Sequence, residues 1–434
     1  MKSPRRVGRS VTPAVLAFVL AGVPGVACSS SNNPPPAGSS GSSGGLDASQ
    51  DREGPSAVDG GDDGGHASSA LPLGTLPTID EPDVACVPTA GIKTELFAAG
   101  DSGLGGPALT RVQLLGTRRF ASGQSTQGFV TFDAVGTNSK LFGVVIGTTD
   151  TVFSSEGSTI GAAAVSAGKV DYQRYDDQGV ATGSIISLAS GIAVGPPRVW
   201  VGSGNGGSLV VWPNGSTLEA AGITSAGAAA GPRFTLAENV STPHLAITYA
   251  GDKYAIAYSY DTTGGASAAR FVFASTTGVM GAPIDLATAD AIEPVAITQT
   301  ASGFLMVVDA GGDEHVYTLP LDATGKVSGP AHRLLGGDLP WGLASHGDDA
   351  ALVVLTNDVK IDGGEGPRAP QFRPLDVTGK PTGPWVCLDG KISSKLYQDM
   401  GILAEAGGGY SVVYKSPTDT TMLVRVDKLG TRAP

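Results

Sequence analysis

The sequence predicts an all-β protein whose folded part, residues 82–434, is a seven-bladed β-propeller of four-stranded antiparallel blades. From about residue 82 onward, short β-prone runs alternate with turns rich in Gly, Asp, Thr and Pro, and no helical periodicity is present. One turn motif recurs seven times, and two further strand patterns precede it in most copies. Because four strands in roughly 50 residues make one propeller blade, seven copies account for the whole folded region.

The turn motif begins with an apolar residue and Asp, followed by any two residues and a Gly. Any three residues then precede a second Gly, and any four residues precede a final Leu. It is clearest in LDATGKVSGPAHRL (321–334) and LDVTGKPTGPWVCL (375–388). The Asp or Ser is expected to bond the backbone ahead of it, and the first Gly to adopt the positive φ that closes the hairpin. These turn glycines lie 43 to 54 residues apart: Gly136, Gly179, Gly227, Gly278, Gly325, Gly379 and Gly430.

The last copy ends soon after Gly430 and therefore lacks a fourth strand. Its missing part, Gly followed by four residues and Leu, occurs at the other end of the domain as GIKTEL (91–96). We predict that the strand around Leu96 pairs with the strand around Val424 and closes the ring. WD-type propellers close in this way, but their Gly-His and Trp-Asp signatures are absent here.

Residues 1–27 have the pattern of a signal peptide. Four basic residues within the first nine precede a short apolar core at 11–22. Gly25-Val26-Ala27-Cys28 resembles the lipobox of bacterial lipoproteins, although Gly25 stands where leucine is usual. The resemblance implies lipidation of Cys28. Cleavage by ordinary signal peptidase, giving a secreted soluble form, is the alternative.

Residues 28–81 have too few apolar side chains to form a core, so we expect a disordered, low-complexity tether. The formal net charge is −12, and loss of the signal peptide with its four basic residues makes it −16. An acidic chain of this kind argues against nucleic-acid binding. It also argues against direct adsorption to anionic lipid, which leaves the lipid anchor as the expected contact with a membrane.

With its lipobox-like start and its repeats, the chain resembles bacterial lipoproteins that carry a repeat-built propeller. The resemblance implies an exported monomer that is lipid-anchored to the cell envelope of a Gram-negative bacterium, with the outer membrane favoured. If Cys28 is lipidated, Cys86 and Cys387 form an even pair in an oxidising compartment, and we predict a disulfide between them. This bridge requires the N-terminal segment to cross blade six.

Two motifs suggest catalysis, but their contexts do not support it. GDSGLGGP (100–107) resembles the loop that carries the nucleophilic serine of chymotrypsin-like proteases. The histidine and aspartate that this family needs upstream are missing, so we interpret Ser102 as part of an inter-blade connector. Gly202, Gly204 and Gly207 spell GxGxxG, but a strand pattern follows them instead of the helix that binds a dinucleotide.

The connectors between blades and the loops after each second strand are expected to share one face, the usual ligand face of a propeller. Carboxylates in Gly-rich loops on this face could bind calcium or attract a basic partner. Their spacing matches no EF-hand, and the scattered single histidines do not support a zinc site. The candidates are Asp309, Asp313, Glu314, Asp358, Asp362 and Glu365. Apart from possible calcium, no cofactor is predicted.

These features favour a non-catalytic interaction scaffold that binds a protein or glycan partner at the cell envelope. One alternative is an extracytoplasmic glycoside hydrolase or lyase that uses loop-face carboxylates as acid and base. A second alternative is a structural envelope protein without a discrete ligand.

Overall fold

A computed structural model describes most of the predicted folded region. The described residues are 71–73, 87–88, 93–97, 111–122, 128–143, 146, 151–193, 198–204, 206–240, 244–262, 267–289, 291–311, 315–336, 338–356, 369–389, 400–416 and 420–431. All of them belong to one compact unit, Gly65–Pro434. Within these ranges the chain forms β-strands and turns, and none of it is a helix long and apolar enough to cross a membrane.

Three short strands precede the first complete blade: β1 (Leu71–Pro72), β2 (Val87–Pro88) and β3 (Lys93–Phe97). The next three blades follow in chain order. Blade one contains β4 (Arg111–Leu115), β5 (Arg118–Ser122), β6 (Gly128–Phe132) and β7 (Lys140–Gly143). Blade two contains β8 (Thr151–Glu156), β9 (Thr159–Ser166), β10 (Lys169–Tyr175) and β11 (Ala181–Ser190). Blade three contains β12 (Trp200–Gly204), β13 (Gly207–Asn214), β14 (Thr217–Thr224) and β15 (Phe234–Glu238).

The remaining strands form four more blades. Blade four contains β16 (Leu245–Ala250), β17 (Lys253–Asp261), β18 (Ser267–Ser275) and β19 (Gly278–Ala289). Blade five contains β20 (Ala291–Thr300), β21 (Gly303–Gly311), β22 (His315–Asp322) and β23 (His332–Gly336). Blade six contains β24 (Asp338–His346), β25 (Asp349–Thr356), β26 (Ala369–Asp376) and β27 (Val386–Cys387). Blade seven contains β28 (Met400–Ala404), β29 (Tyr410–Lys415) and β30 (Thr421–Val426), joined by β3.

The chain is therefore a seven-bladed β-propeller, as predicted. Each blade is an antiparallel meander, with the first strand innermost and the fourth outermost. The ring closes through β3, which pairs antiparallel with β30 so that Lys93 lies opposite Val424 and Thr94 opposite Leu423. Leu96 is buried in one cluster with residues of blades one and seven. The predicted closure is confirmed.

The recurring turn owes its shape to hydrogen bonds within five residues. In blade five, Asp322 Oδ1 accepts the N–H groups of Thr324 at 2.8 Å and Lys326 at 3.1 Å, and Gly325 has a φ of 88°. These bonds, led by one from the Thr324 hydroxyl, lower the pKa of Asp322. The same backbone contacts recur at Asp133, Asp176, Asp376 and Asp427.

Blade four departs from the predicted turn. Its repeat is one residue shorter, and a two-residue turn at 276–277 connects β18 to β19. Gly278 is already the first residue of β19, paired with Ser275, and it is not among the glycines with positive φ. The prediction of a positive φ is therefore wrong for this copy, because the shorter hairpin closes without it.

The core lies in layers between neighbouring blades. One cluster combines Phe271 of blade four with Phe304 and Leu319 of blade five, and all three side chains are buried. The turn glycines contribute to this packing, because a Cβ on Gly325 would overlap the Phe271 ring of the preceding blade. A single blade could not cover both of its faces, so each blade depends on its neighbours to bury them.

The N-terminal segment adds a fifth strand to two blades. β1 pairs in parallel with β19 of blade four, and β2 pairs in parallel with β27 of blade six. Leu73, next to β1, is fully buried. Three residues of the predicted tether, 71–73, thus contact the propeller, whereas 1–70 lie outside the described ranges.

Candidate binding site at the channel mouth

The inner strands of all seven blades surround a central channel of about 570 Å³. This volume is within the range of small-molecule sites in proteins, roughly 300–1,000 Å³. Its lining is neutral, because no Asp, Glu, Lys, Arg or His is among the described residues that form it. Polar groups come from Gln113, Ser155, Ser203 and Thr248, among others, and Gln113 Oε1 accepts the N–H of Ser155 at 2.8 Å, which joins blades one and two.

Three ionisable side chains lie together on the connector face, the face on which the inner strands begin. Arg198, His244 and Glu293 come from the starts of blades three, four and five, and form a row across them. His244 Nε2 lies 3.1 Å from Glu293 Oε1 and 3.5 Å from Arg198 Nη1. We call these three residues the charged row.

The backbone fixes the position of His244. Its N–H donates to Ser259 Oγ at 3.0 Å, and its carbonyl oxygen accepts the N–H of Ser259 at 3.0 Å. Burial lowers the pKa of His244, Glu293 raises it, and the nearby Arg198 lowers it. Because burial favours the neutral imidazole and a carboxylate only accepts, we assign the ring proton to Nε2, which donates it to Glu293.

Next to the charged row is a small cavity of about 60 Å³, lined by His244, Ser259, Asp261 and Glu293 among others. This volume is equivalent to about two water molecules. It is several times smaller than typical ligand pockets. The cavity can hold a small polar group or water, but not a sugar ring.

Tyr260 forms part of the wall of this small cavity, and contacts with Arg270 and Asp285 of the same blade hold it in place. Arg270 stacks 3.6 Å from the Tyr260 ring centre, and its Nε lies 2.6 Å from Asp285 Oδ1. Tyr260 also donates to Asp285 Oδ1 at 3.1 Å. These contacts hold Tyr260, which lines the small cavity, in one orientation.

One predicted loop-face carboxylate is described, and it lies at this site. Asp309, in β21, is the cross-strand partner of Glu293 in β20. Connectors and second-strand ends therefore do share a face here. Asp313, Glu314, Asp358, Asp362 and Glu365 lie outside the described residues, as do Cys28 and Ser102.

Calcium binding at these loops stays a prediction. Within the described ranges, no group of three His, Cys, Asp or Glu residues is placed to hold a metal ion. The disulfide also stays a prediction, because Cys86 lies outside those ranges. Val87 and Pro88 pair with Val386 and Cys387, so the chain next to Cys86 does cross blade six as the bridge requires.

The charged row was not among the sequence candidates. The sequence does contain one indication of it, because each of the three residues lies within two positions of the apolar run that begins an inner strand. Nothing in the sequence indicates that they meet, because they are separated by more than 40 residues. Only the ring places them side by side.

A buried carboxylate lies at the opposite face, where β8 ends. Glu156 accepts hydrogen bonds from Tyr172 at 2.6 Å and from Ser208, and its second oxygen lies 3.0 Å from Arg174 Nε. Burial, followed by the Glu156 charge, raises the pKa of Tyr172. Oε1 accepts both hydrogen bonds and Oε2 faces the Arg174 guanidinium, so this cluster joins blades two and three.

The GxGxxG sequence lies in a hairpin, as predicted. Gly204 ends β12 and is paired with Gly207, which begins β13. A Cβ on Gly204 would overlap the Tyr249 ring of blade four. Close packing of neighbouring blades therefore explains that glycine, and no helix follows to bind a dinucleotide.

No family model matches the sequence, and no curated protein matches it. Among solved structures, BBS1N in complex with ARL6DN is similar, with 12% identity and a TM-score of 0.48, over 79% of this chain and 99% of that one. AztD from Citrobacter koseri, in its apo form, has 16% identity and a TM-score of 0.45, over 76% and 84%. A prolyl endopeptidase has 10% identity and a TM-score of 0.47, over 74% of this chain and 48% of that one, so this chain spans about half its length. Similarity at these identities concerns the fold alone.

Proposed function

We propose that this chain is an exported, lipid-anchored propeller that binds a protein or glycan partner at the cell envelope through its connector face, without catalysis. The supporting observation is that the ligand-sized cavity and the carboxylates occur in different places. The channel, at about 570 Å³, is large enough for a ligand but has no ionisable side chain in its described lining. The cavity lined by Asp261 and Glu293 is only about 60 Å³.

This separation argues against the glycosidase alternative. Such an enzyme needs two carboxylates flanking a bound sugar, commonly about 5–9.5 Å apart, within one cleft. Of the two cavities described above, the ligand-sized one has no carboxylate in its described lining, and the carboxylates line the small one. A partner that docks across the connector face needs only exposed charge and shape, which the charged row supplies.

The test is site-specific photo-crosslinking in living cells. A photoreactive amino acid replaces Glu293 on the connector face, and a control replaces the exposed Ser158 in the β8–β9 turn on the opposite face. We expect a discrete adduct from position 293 only, or binding to defined glycans on an array that Glu293→Lys weakens.

Other outcomes support the alternatives. Turnover on a glycan panel, lost on Glu293→Gln or Asp261→Asn, would support a hydrolase or lyase. Absence of both adducts and glycan binding would support a structural envelope protein. Anchoring is tested separately, because Cys28→Ser should move the protein from the membrane to the soluble fraction.

A further inference from the structure

The outer edges of the blades differ in whether another strand covers them. Each outermost strand leaves one row of backbone N–H and C=O groups open to pairing. Among the described strands, two such edges are covered: β19 by β1 and β27 by β2, both in parallel. The propeller therefore already binds extended segments at its rim.

The two covering segments share a chemical pattern. Each is an aliphatic residue followed by proline, Leu71–Pro72 in one case and Val87–Pro88 in the other. Proline is tolerated at a sheet edge because it needs no N–H partner, and its fixed φ reduces the entropy lost on docking. Leu73, directly after the first pair, is fully buried in one cluster with Leu286 and Ala287.

Most uncovered outer strands carry charges that discourage pairing. β7 contains Lys140, β15 contains Glu238, β23 contains Arg333, and β3 contains Lys93 and Glu95; each is only four or five residues long. β11 of blade two is different. It has ten residues, none of them charged, and no described strand pairs with its outer side.

The repeat shows where a covering segment would pair on β11. Leu188 of blade two corresponds to Leu286 of blade four, so Ala189 and Ser190 correspond to the two residues that pair with Leu71 and Pro72. Leu286 is 0% exposed, whereas Leu188 is only partly buried. The blade-two edge, Ile186–Ser190, thus resembles the blade-four edge without its cover.

We propose that the blade-two edge binds an extended aliphatic–proline–aliphatic segment of a partner protein as a parallel fifth strand. Backbone hydrogen bonds would supply much of the affinity, and contact with Leu188 would select the aliphatic residue after proline. This surface lies at the rim of the ring, on the side of β11 that faces away from β10.

The test uses a fluorescein-labelled peptide, Ala-Leu-Pro-Leu-Gly-Thr, which has the sequence of residues 70–75. It is titrated with the full chain carrying Cys28→Ser, and binding is followed by fluorescence anisotropy. We expect saturable binding that Ser190→Lys weakens by roughly tenfold or more, because a charge at an edge opposes pairing. The matched control is Ser184→Lys, at an exposed position in the bulged half of β11, and it should change binding by less than about twofold.

Three outcomes would overturn the proposal. The first is no saturable binding, or equal binding of a peptide whose two leucines are replaced by aspartate. The second is loss of binding in Thr288→Lys but not in Ser190→Lys, which would assign the peptide to the blade-four edge. The third is a dimer on size-exclusion chromatography that Ser190→Lys dissociates, which would assign the edge to a second copy of this chain. Circular dichroism spectra of the variants must match the parent protein.

Discussion

His244 and Glu293 belong to neighbouring blades, and the imidazole Nε2 of one lies 3.1 Å from the carboxylate Oε1 of the other. Burial lowers the pKa of this histidine, and the carboxylate counteracts that effect. Glu293→Gln should therefore lower the pKa of His244 further, because the stabilising negative charge is lost. NMR titration of the His244 ring proton checks this, with Glu238→Gln on the exposed edge of blade three as the control. A pKa that rises, or that stays the same, would contradict the assignment.

The same shift predicts how stability depends on pH. A histidine whose folded pKa is below its unfolded value of about 6.5 binds a proton more readily in the unfolded chain. The stability that depends on a neutral His244 is therefore fully present above pH 6.5, and it is lost as the pH falls through the folded pKa. His244→Gln should therefore reduce the loss of stability below pH 6.5, which urea unfolding between about pH 7 and 5 will measure. A variant whose stability falls as steeply as that of the parent protein would argue against this role.

Two glycines in turns with positive φ should differ in their tolerance of alanine. Gly325 and Gly347 both have positive φ, so alanine costs about 1–2 kcal/mol at either position. A Cβ on Gly325 also overlaps Phe271, whereas nothing lies within 4 Å of a Cβ on Gly347. Overpacking should add about 1–3 kcal/mol to the cost of Gly325→Ala. Equal losses of unfolding free energy in the two variants would show that the turn does not pack against the preceding blade.

Ring closure should make Leu96 important for stability although it lies near the N-terminal end of the propeller. It is 3% exposed in a cluster with Val112 and Leu423. Leu96→Ala should cost about 2–5 kcal/mol, because it leaves a cavity between the first and last blades. Leu429→Ala, at a position that is 49% exposed, is the control and should cost less than about 0.5 kcal/mol. Similar midpoints in urea for both variants would mean that closure contributes little.

The predicted disulfide can be measured with a thiol reagent. Cys387 is buried in blade six, beside the segment that follows Cys86. In a Cys28→Ser background, the unfolded and unreduced protein should have no reactive thiol, and reduction should destabilise it by about 2–4 kcal/mol. If two thiols react without prior reduction, the bridge is absent.

Much of the fold depends on interactions between residues close in sequence, and it could therefore be predicted from the sequence. The Asp322 turn depends on hydrogen bonds within five residues, so its motif is visible in the sequence, and its seven occurrences gave the number of blades. The unpaired final copy and the matching GIKTEL segment predicted the closure. Gly278 was the exception, because a repeat shorter by one residue closes with a different hairpin.

The sequence by itself determined the repeat, the number of blades and the closing strand. Only the tertiary structure decided which ionisable groups meet on the connector face, that the described channel lining has no ionisable side chain, and that Leu71–Pro72 covers blade four while β11 stays uncovered by any described strand. The physical reason is distance along the chain. The hydrogen bonds of a turn join residues that are close in the sequence. Arg198, His244 and Glu293, in contrast, become neighbours only when the blades close into a ring.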